Sequence, residues 1–195
     1  MFNLFTALAM RTITQPRDAA MELLQLRPSR SVLWSALALA VVLNTIAYQL
    51  SLFTSPPPGE LPVIFSSPLI FAVLIGAGLV LSIYSITYAG RFIGGKAVLE
   101  QVMVLLIWLQ FLRFAVQIVA FLLVPIIPGL AGLLVLCATL YGMWILIQFI
   151  DVAHEFNSIA SSIGALLLSG LGIMLGLAIL LTILGVQNMG LTPYV

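Results

Sequence analysis

The chain has 195 residues, 63% of them hydrophobic and 7% charged, whereas an ordinary soluble domain is roughly half apolar and about a quarter charged. That composition excludes a water-soluble monomer. At about 20 apolar residues per bilayer span it leaves room for some five or six spans and no separate soluble domain. Seven basic and six acidic side chains give a net charge of +1, too few for the basic stripe that nucleic-acid binding requires, and the single cysteine, Cys137, can form no intramolecular disulfide.

Residues 1–10 are apolar, but Arg11 follows them instead of preceding them, the wrong order for a secretory signal. Phe2, Phe5, Leu8 and Ala9 stand at helical spacing and suit a helix lying in the membrane interface. A second short helix is expected from Pro16 in its first turn, Asp18 and Glu22 early, an apolar edge of Met21, Leu24 and Leu26, and a stop at Pro28. Five apolar runs follow, at about 31–53, 68–89, 98–124, 130–150 and 159–184. The expected fold is an all-α polytopic bundle: N-terminal interfacial helices in residues 1–30, then a five-span membrane domain in residues 31–195. Pro56, Pro57, Pro58, Gly59 and Pro62 after the first run, and Pro125 to Gly129 after the third, predict short non-helical loops.

Arg11, Arg17, Arg27 and Arg30 precede the first run, and Arg91 and Lys96 lie between the second and third. The loops after runs one and three and the C-terminal segment carry no Lys or Arg, so the positive-inside bias puts the N-terminus in the cytoplasm and, with an odd number of spans, the C-terminus outside. The acidic loop after run four does not oppose this, because carboxylates contribute little to the bias.

Arg113 stands in the middle of the third run, 13 residues after Glu100, or roughly 20 Å along a helix. A central Arg costs at least about 2.5 kcal/mol to insert, so it calls for an interior or wet setting with partners. Gln110 and Gln117 fall on its face and Asn44 at comparable depth, which suggests an intramembrane polar seam that is either a structural hydrogen-bond hub or a site for a ligand, ion or lipid. Asp151, His154 and Glu155, at i, i+3 and i+4, form an acidic end to the fourth run. Position 158 is Ser, so the two-histidine zinc signature is missing, and there is no GxSxG elbow for a hydrolase. The turn from Arg91 through Gly94, Gly95 and Lys96 to Glu100 is no phosphate loop, since Ala97 stands where Ser or Thr is needed; it suits anchoring to anionic headgroups. Gly172 and Gly176 at GxxxG spacing predict close helix packing, within the chain or between two copies. Tyr84 and Tyr88 read as an interfacial aromatic pair.

Several stretches together resemble the Yip family of five-span membrane proteins, the Ypt/Rab-interacting group and its bacterial relatives. They are Thr14-Gln15-Pro16-Arg17-Asp18 and Pro28-Ser29-Arg30 before the first span, and the turn Gly90-Arg91-Phe92-Ile93-Gly94-Gly95-Lys96-Ala97 leading into Glu100. Trp108-Leu109-Gln110, Trp144 and His154-Glu155-Phe156 add to the likeness, which covers nearly the whole chain and looks closest to the bacterial branch. The long polar N-terminal region of the eukaryotic members is missing, so their small-GTPase and coat-protein contacts do not carry over. The resemblance implies a fold and a membrane location without a settled activity.

The expectation is a non-enzymatic inner-membrane protein without metal or cofactor. It organises the membrane or serves as an adaptor, meeting lipid headgroups or partner proteins, a second copy among them, on its cytoplasmic face. The alternative is a permease, channel or lipid-translocating protein working through the Arg113 seam.

Overall fold

The computed structural model describes residues 2–54, 59 and 63–183. Two short helices, α1 (Phe2–Thr14) and α2 (Pro16–Gln25), precede α3 (Arg30–Thr54); a one-turn α4 (Val63–Ser66) leads into α5 (Pro68–Phe92), α6 (Leu99–Leu123), α7 (Pro128–His154) and α8 (Ile159–Ile183). Proline occupies the first turn of α2, α5 and α7, where its missing N–H would have no helical partner anyway. The five long helices are each apolar enough and long enough to cross a bilayer.

The fourth apolar run continues as helix beyond its expected end, which makes Asp151 and His154 helical. The loop after α3 carries the turn α4, where a non-helical connection was expected. Pro56, Pro57, Pro58 and Pro62, and the C-terminal segment whose side was expected to be outside, lie outside the described residues.

α5 packs most extensively against α8, and α6 against α7 and α3. The start of α3, the end of α5, the start of α6, the end of α7 and the start of α8 meet at one end of the bundle. This end carries Arg30, Arg91, Lys96, Glu100, Asp151 and Glu155 and is called the charged end below. Buried side chains concentrate toward it: Leu33 and Leu37, Ile83 and Ile86, Val102, Met103 and Leu105 to Trp108, Phe149 to Asp151, and Ala165. Farther away the helices loosen. No residue of α7 between Gly132 and Trp144 is buried, and none of α8 beyond Ser169.

The first two helices form a hairpin that packs on the bundle instead of lying apart from it. Ala19 and Ala20 are fully buried and let α2 approach α7 closely, with Leu23 beside them. Trp108 Nε1 donates to Thr12 Oγ1 (3.0 Å), Tyr141 Oη donates to the Ile13 carbonyl, and the Phe5 ring sits 5.0 Å from the Trp108 ring. Trp108 lies nine residues inside α6 and Tyr141 thirteen residues before the end of α7, so the hairpin turn docks roughly 14–20 Å from the charged end. It leaves the apolar side chains of Met10, Ile13 and Met21 exposed.

Candidate functional site

At the charged end two sequence features that were read separately come together. The end of α7 sets His154 against the glycine turn after α5. A Cβ at Gly90 would overlap the imidazole ring, and one at Gly95 would come within 2.6 Å of Cδ2 and 2.7 Å of Cβ. Only hydrogen at both positions leaves room for the ring, which is almost fully buried. His154 Nδ1 lies 3.1 Å from the Ile150 carbonyl, which requires the proton on that nitrogen, and Phe156 stacks on the outer side at 5.1 Å.

The turn itself is closed by its own backbone. Gly95 N–H donates to Gly90 O (2.8 Å), Gly94 adopts φ +101°, and Arg91 Nε donates to Ala97 O (2.8 Å). The link to α7 is a backbone bond from Lys96 N–H to the His154 carbonyl (3.1 Å) and an ion pair from Lys96 Nζ to Glu155 (3.1 Å). Val98 N–H is capped by Gln101 Oε1, which starts α6 directly after the turn. Arg30 pairs with Glu100 at 3.5 Å and adds the first turn of α3.

Asp151 is the second fixed point. Its side chain has no solvent exposure and accepts from Ser158 N–H (2.9 Å) and Ser162 Oγ (3.2 Å), which caps α8, while its other oxygen pairs with Arg17 of α2. One carboxylate thus ties the end of α7, the start of α8 and the N-terminal hairpin. Glu155 at φ +56° and Asn157 at φ +51° make the tight connection between α7 and α8. Together with Arg27 they are the non-glycine residues with positive φ among the described residues, and all three lie in connections at this end.

Arg91, Gly94, Gly95, Lys96, Glu100, Asp151, His154 and Glu155 therefore belong to one assembly. Reasoning from sequence did not add Arg17, Gly90, Ser158 and Ser162 to it. Arg17 was visible only in the positive bias and in the Thr14–Asp18 stretch of the family likeness, and Gly90 only as the first residue of the turn. Among the described residues no group of three or more His, Cys, Asp or Glu is placed to hold a metal ion.

The intramembrane residues are not joined in the same way. Asn44 is buried and donates to Ala40 O of its own helix (2.8 Å). Arg113 is exposed and has no ion pair or hydrogen bond among the described residues, while Gln110 and Gln117 on its face are half-buried and Gln117 Oε1 is unpaired. Gly172 and Gly176 face α5: a Cβ would come 2.9 Å from Ser85 Oγ at the first and 2.8 Å from Leu81 Cδ2 at the second. Tyr84 and Tyr88 stack at 6.2 Å.

No curated protein and no solved structure matches the chain. The family model of the Yip1 domain matches residues 10–181, from the N-terminal hairpin to the last turns of α8, and this protein, with its five candidate membrane spans, belongs to the Yip1 domain family.

Proposed function

We propose that the protein is a bacterial inner-membrane member of the family that organises the membrane or serves as an adaptor, with the charged end in the cytoplasm and the C-terminus outside. It is a binding protein and no enzyme, it needs no metal or cofactor, and its partners are anionic headgroups, other membrane proteins or a second copy, not nucleic acid. The observation that carries this reading is the clustering of charge. Arg30, Arg91, Lys96, Glu100, Asp151 and Glu155 sit at one end, on a platform fastened by the His154 wedge and the Asp151 junction with Arg17. Rigid presentation of mixed charge at the headgroup level suits recognition of polar surfaces.

The test is residue-specific photo-crosslinking in intact cells, with the reactive group at Ile93 on the exposed turn and at Ile126 on the opposite end. Defined lipid or protein adducts at 93 and none of comparable yield at 126 are expected. The reverse pattern sinks the proposal. Impermeant labelling of a cysteine at 93, in a chain with Cys137 replaced by Ser, is expected only after the inner leaflet is exposed; labelling from outside overturns the orientation.

The second reading, passage of a lipid or small anion along the Arg113 seam, is favoured by one feature of α6. Leu106 and Ala120 stand seven residues either side of Arg113 on nearly the same face and are buried, yet Arg113 between them is exposed. A gap on an otherwise packed face holds the only cation of the spans' middle section among the described residues. Anion or lipid flux in proteoliposomes that stops with Arg113→Gln would move the function to this site; unchanged leak-level flux in both forms removes the reading.

A further inference from the structure

An open groove of about 430 Å³ runs between α5 and α8, just inside the charged end, lined on one side by Tyr84, Tyr88 and Phe92 and on the other by Leu168, Ser169 and Gly172. Its volume is in the range of small-molecule sites, which hold roughly 300–1,000 Å³. Both walls belong to helices of membrane-spanning length and composition, so the medium that reaches the groove is lipid. On α5 the aromatic side chains recur every fourth residue, covering eight residues or roughly 12 Å of helix. Tyr88 and Phe92 are among the most exposed aromatics of the bundle, at 60% and 85%, at the depth where amphipathic rings collect in membranes.

The end of the groove has a charge. Arg91 follows Tyr84 by seven residues and Tyr88 by three, so it stands over the same side of α5 at the headgroup level. Its Nε is committed to the Ala97 carbonyl, which orients the guanidinium, and its terminal nitrogens make no ion pair among the described residues. An oriented guanidinium with free terminal donors is matched to a phosphate diester. A second copy of the chain is a poor occupant. Gly172 and Gly176, the small residues that let helices approach closely, are already taken up by Ser85 and Leu81 of the same molecule.

We infer that this groove is a specific site for one anionic phospholipid, an acyl chain lying along Tyr84, Tyr88 and Leu168 with the phosphate on Arg91. It deepens the proposed headgroup-binding role and rests on that reading only for the leaflet, which is the inner one if the charged end is cytoplasmic. The site requires the groove and the charge together.

The test uses the full chain, purified from membranes of mixed phosphatidylglycerol and phosphatidylethanolamine into mild detergent, with retained lipid read by native mass spectrometry beside a thermal melt. Wild type should retain one lipid and favour phosphatidylglycerol. Arg91→Gln should lower that preference by roughly tenfold, the scale of a lost charge-assisted contact, while still holding a lipid. Leu168→Trp, at a partly exposed position, should fill the groove and abolish retention of both lipids at an unchanged melting point. Retention unaffected by Leu168→Trp, or no lipid on the wild type, overturns the inference. Loss with Arg113→Gln and not with Leu168→Trp also overturns it, by placing the lipid at the α6 seam. None of these outcomes alters the photo-adducts at Ile93, so failure of the groove and failure of the adaptor reading are told apart.

Discussion

The two ends of the bundle are built from similar apolar helices and differ in how they are closed. At the charged end polar groups do specific work. His154 fills a slot between two glycines, Asp151 ties together three helices, and the connection after α7 holds positive φ at Glu155 and Asn157. In the far half, α7 between Gly132 and Trp144 and α8 beyond Ser169 bury no residue. In a membrane the hydrophobic effect does not press helices together, since lipid chains are as apolar as leucine; small residues and buried polar bonds must supply the attraction. Among the described residues, this chain places its junctions between three or more helices at the charged end.

Glycine substitutions break or sharpen this contrast most directly. Gly90→Ala forces a methyl group into the imidazole of His154, a buried ring that Gly95 also crowds at Cδ2 and Phe156 stacks against. Overpacking of this kind is expected to cost about 3 kcal/mol. The same change at Gly142, where a Cβ meets nothing within 4 Å, should be neutral or stabilise by about 0.5–1 kcal/mol through helix propensity. Melts of both variants in one detergent check this, and equal effects would erase the distinction between the ends. In a His154→Ala background the cost of Gly90→Ala should largely vanish, because the two positions are in contact and their effects are coupled.

Asp151→Asn is next in size. The amide still accepts from Ser158 and Ser162 but loses the charge that holds Arg17. Removing one partner of a fully buried pair costs roughly 3–5 kcal/mol; Arg17 is about half exposed, so solvent screens the pair and about 1–2 kcal/mol is expected. The accompanying sign is local: trypsin should cleave after Arg11 and Arg17 faster than in wild type as the hairpin loosens. Unchanged cleavage would mean that Trp108 and Tyr141 hold α1 and α2 unaided.

Gly172→Ala and Gly176→Ala should each cost about 1 kcal/mol, less than Gly90→Ala. The atoms they approach, the Ser85 hydroxyl and a Leu81 methyl, end side chains that can rotate. Loss of a dimer without loss of monomer stability would instead put these glycines at an interface between copies.

How much of this was readable beforehand follows from the range of each interaction. The spans were legible because proline and charge punctuate the apolar runs at Pro16, Pro68, Arg91, Lys96 and Pro128, all local signals. GxxxG spacing identified Gly172 and Gly176, though not the helix they face. The junctions at the charged end were not legible. Arg17 and Asp151 lie on the first and last thirds of the chain, and no periodicity links them. Gly90 shows its purpose only once His154 is beside it. The hairpin position depends on Thr12, Trp108 and Tyr141, each unremarkable in its own segment.

Arg113→Gln should have the smallest effect on stability, and for that reason it discriminates best between the roles open to this residue. If Arg113 were the hub of a hydrogen-bonded seam, its removal would strand Gln110, Gln117 or Asn44, at about 1–3 kcal/mol for each buried polar group left unpaired. Asn44 already bonds to Ala40, and Arg113 has no partner among the described residues, so in detergent the change should stay within about 0.5 kcal/mol. In a bilayer it should be neutral or stabilising, because a central arginine costs at least about 2.5 kcal/mol to keep among lipid chains. The side chain also leans toward the helix N-terminus, here the charged end, so reaching the nearer opposite interface works against the natural direction of the Cα–Cβ bond. Melts of wild type, Arg113→Gln and Arg113→Lys in detergent and in nanodiscs provide the measurement. A loss of 2 kcal/mol or more for Gln, about what two stranded polar groups would cost, shows a structural hub after all. A defect in lipid or anion binding with Gln at unchanged stability, only partly restored by Lys with its point charge in place of a planar fork, would give Arg113 a binding role instead.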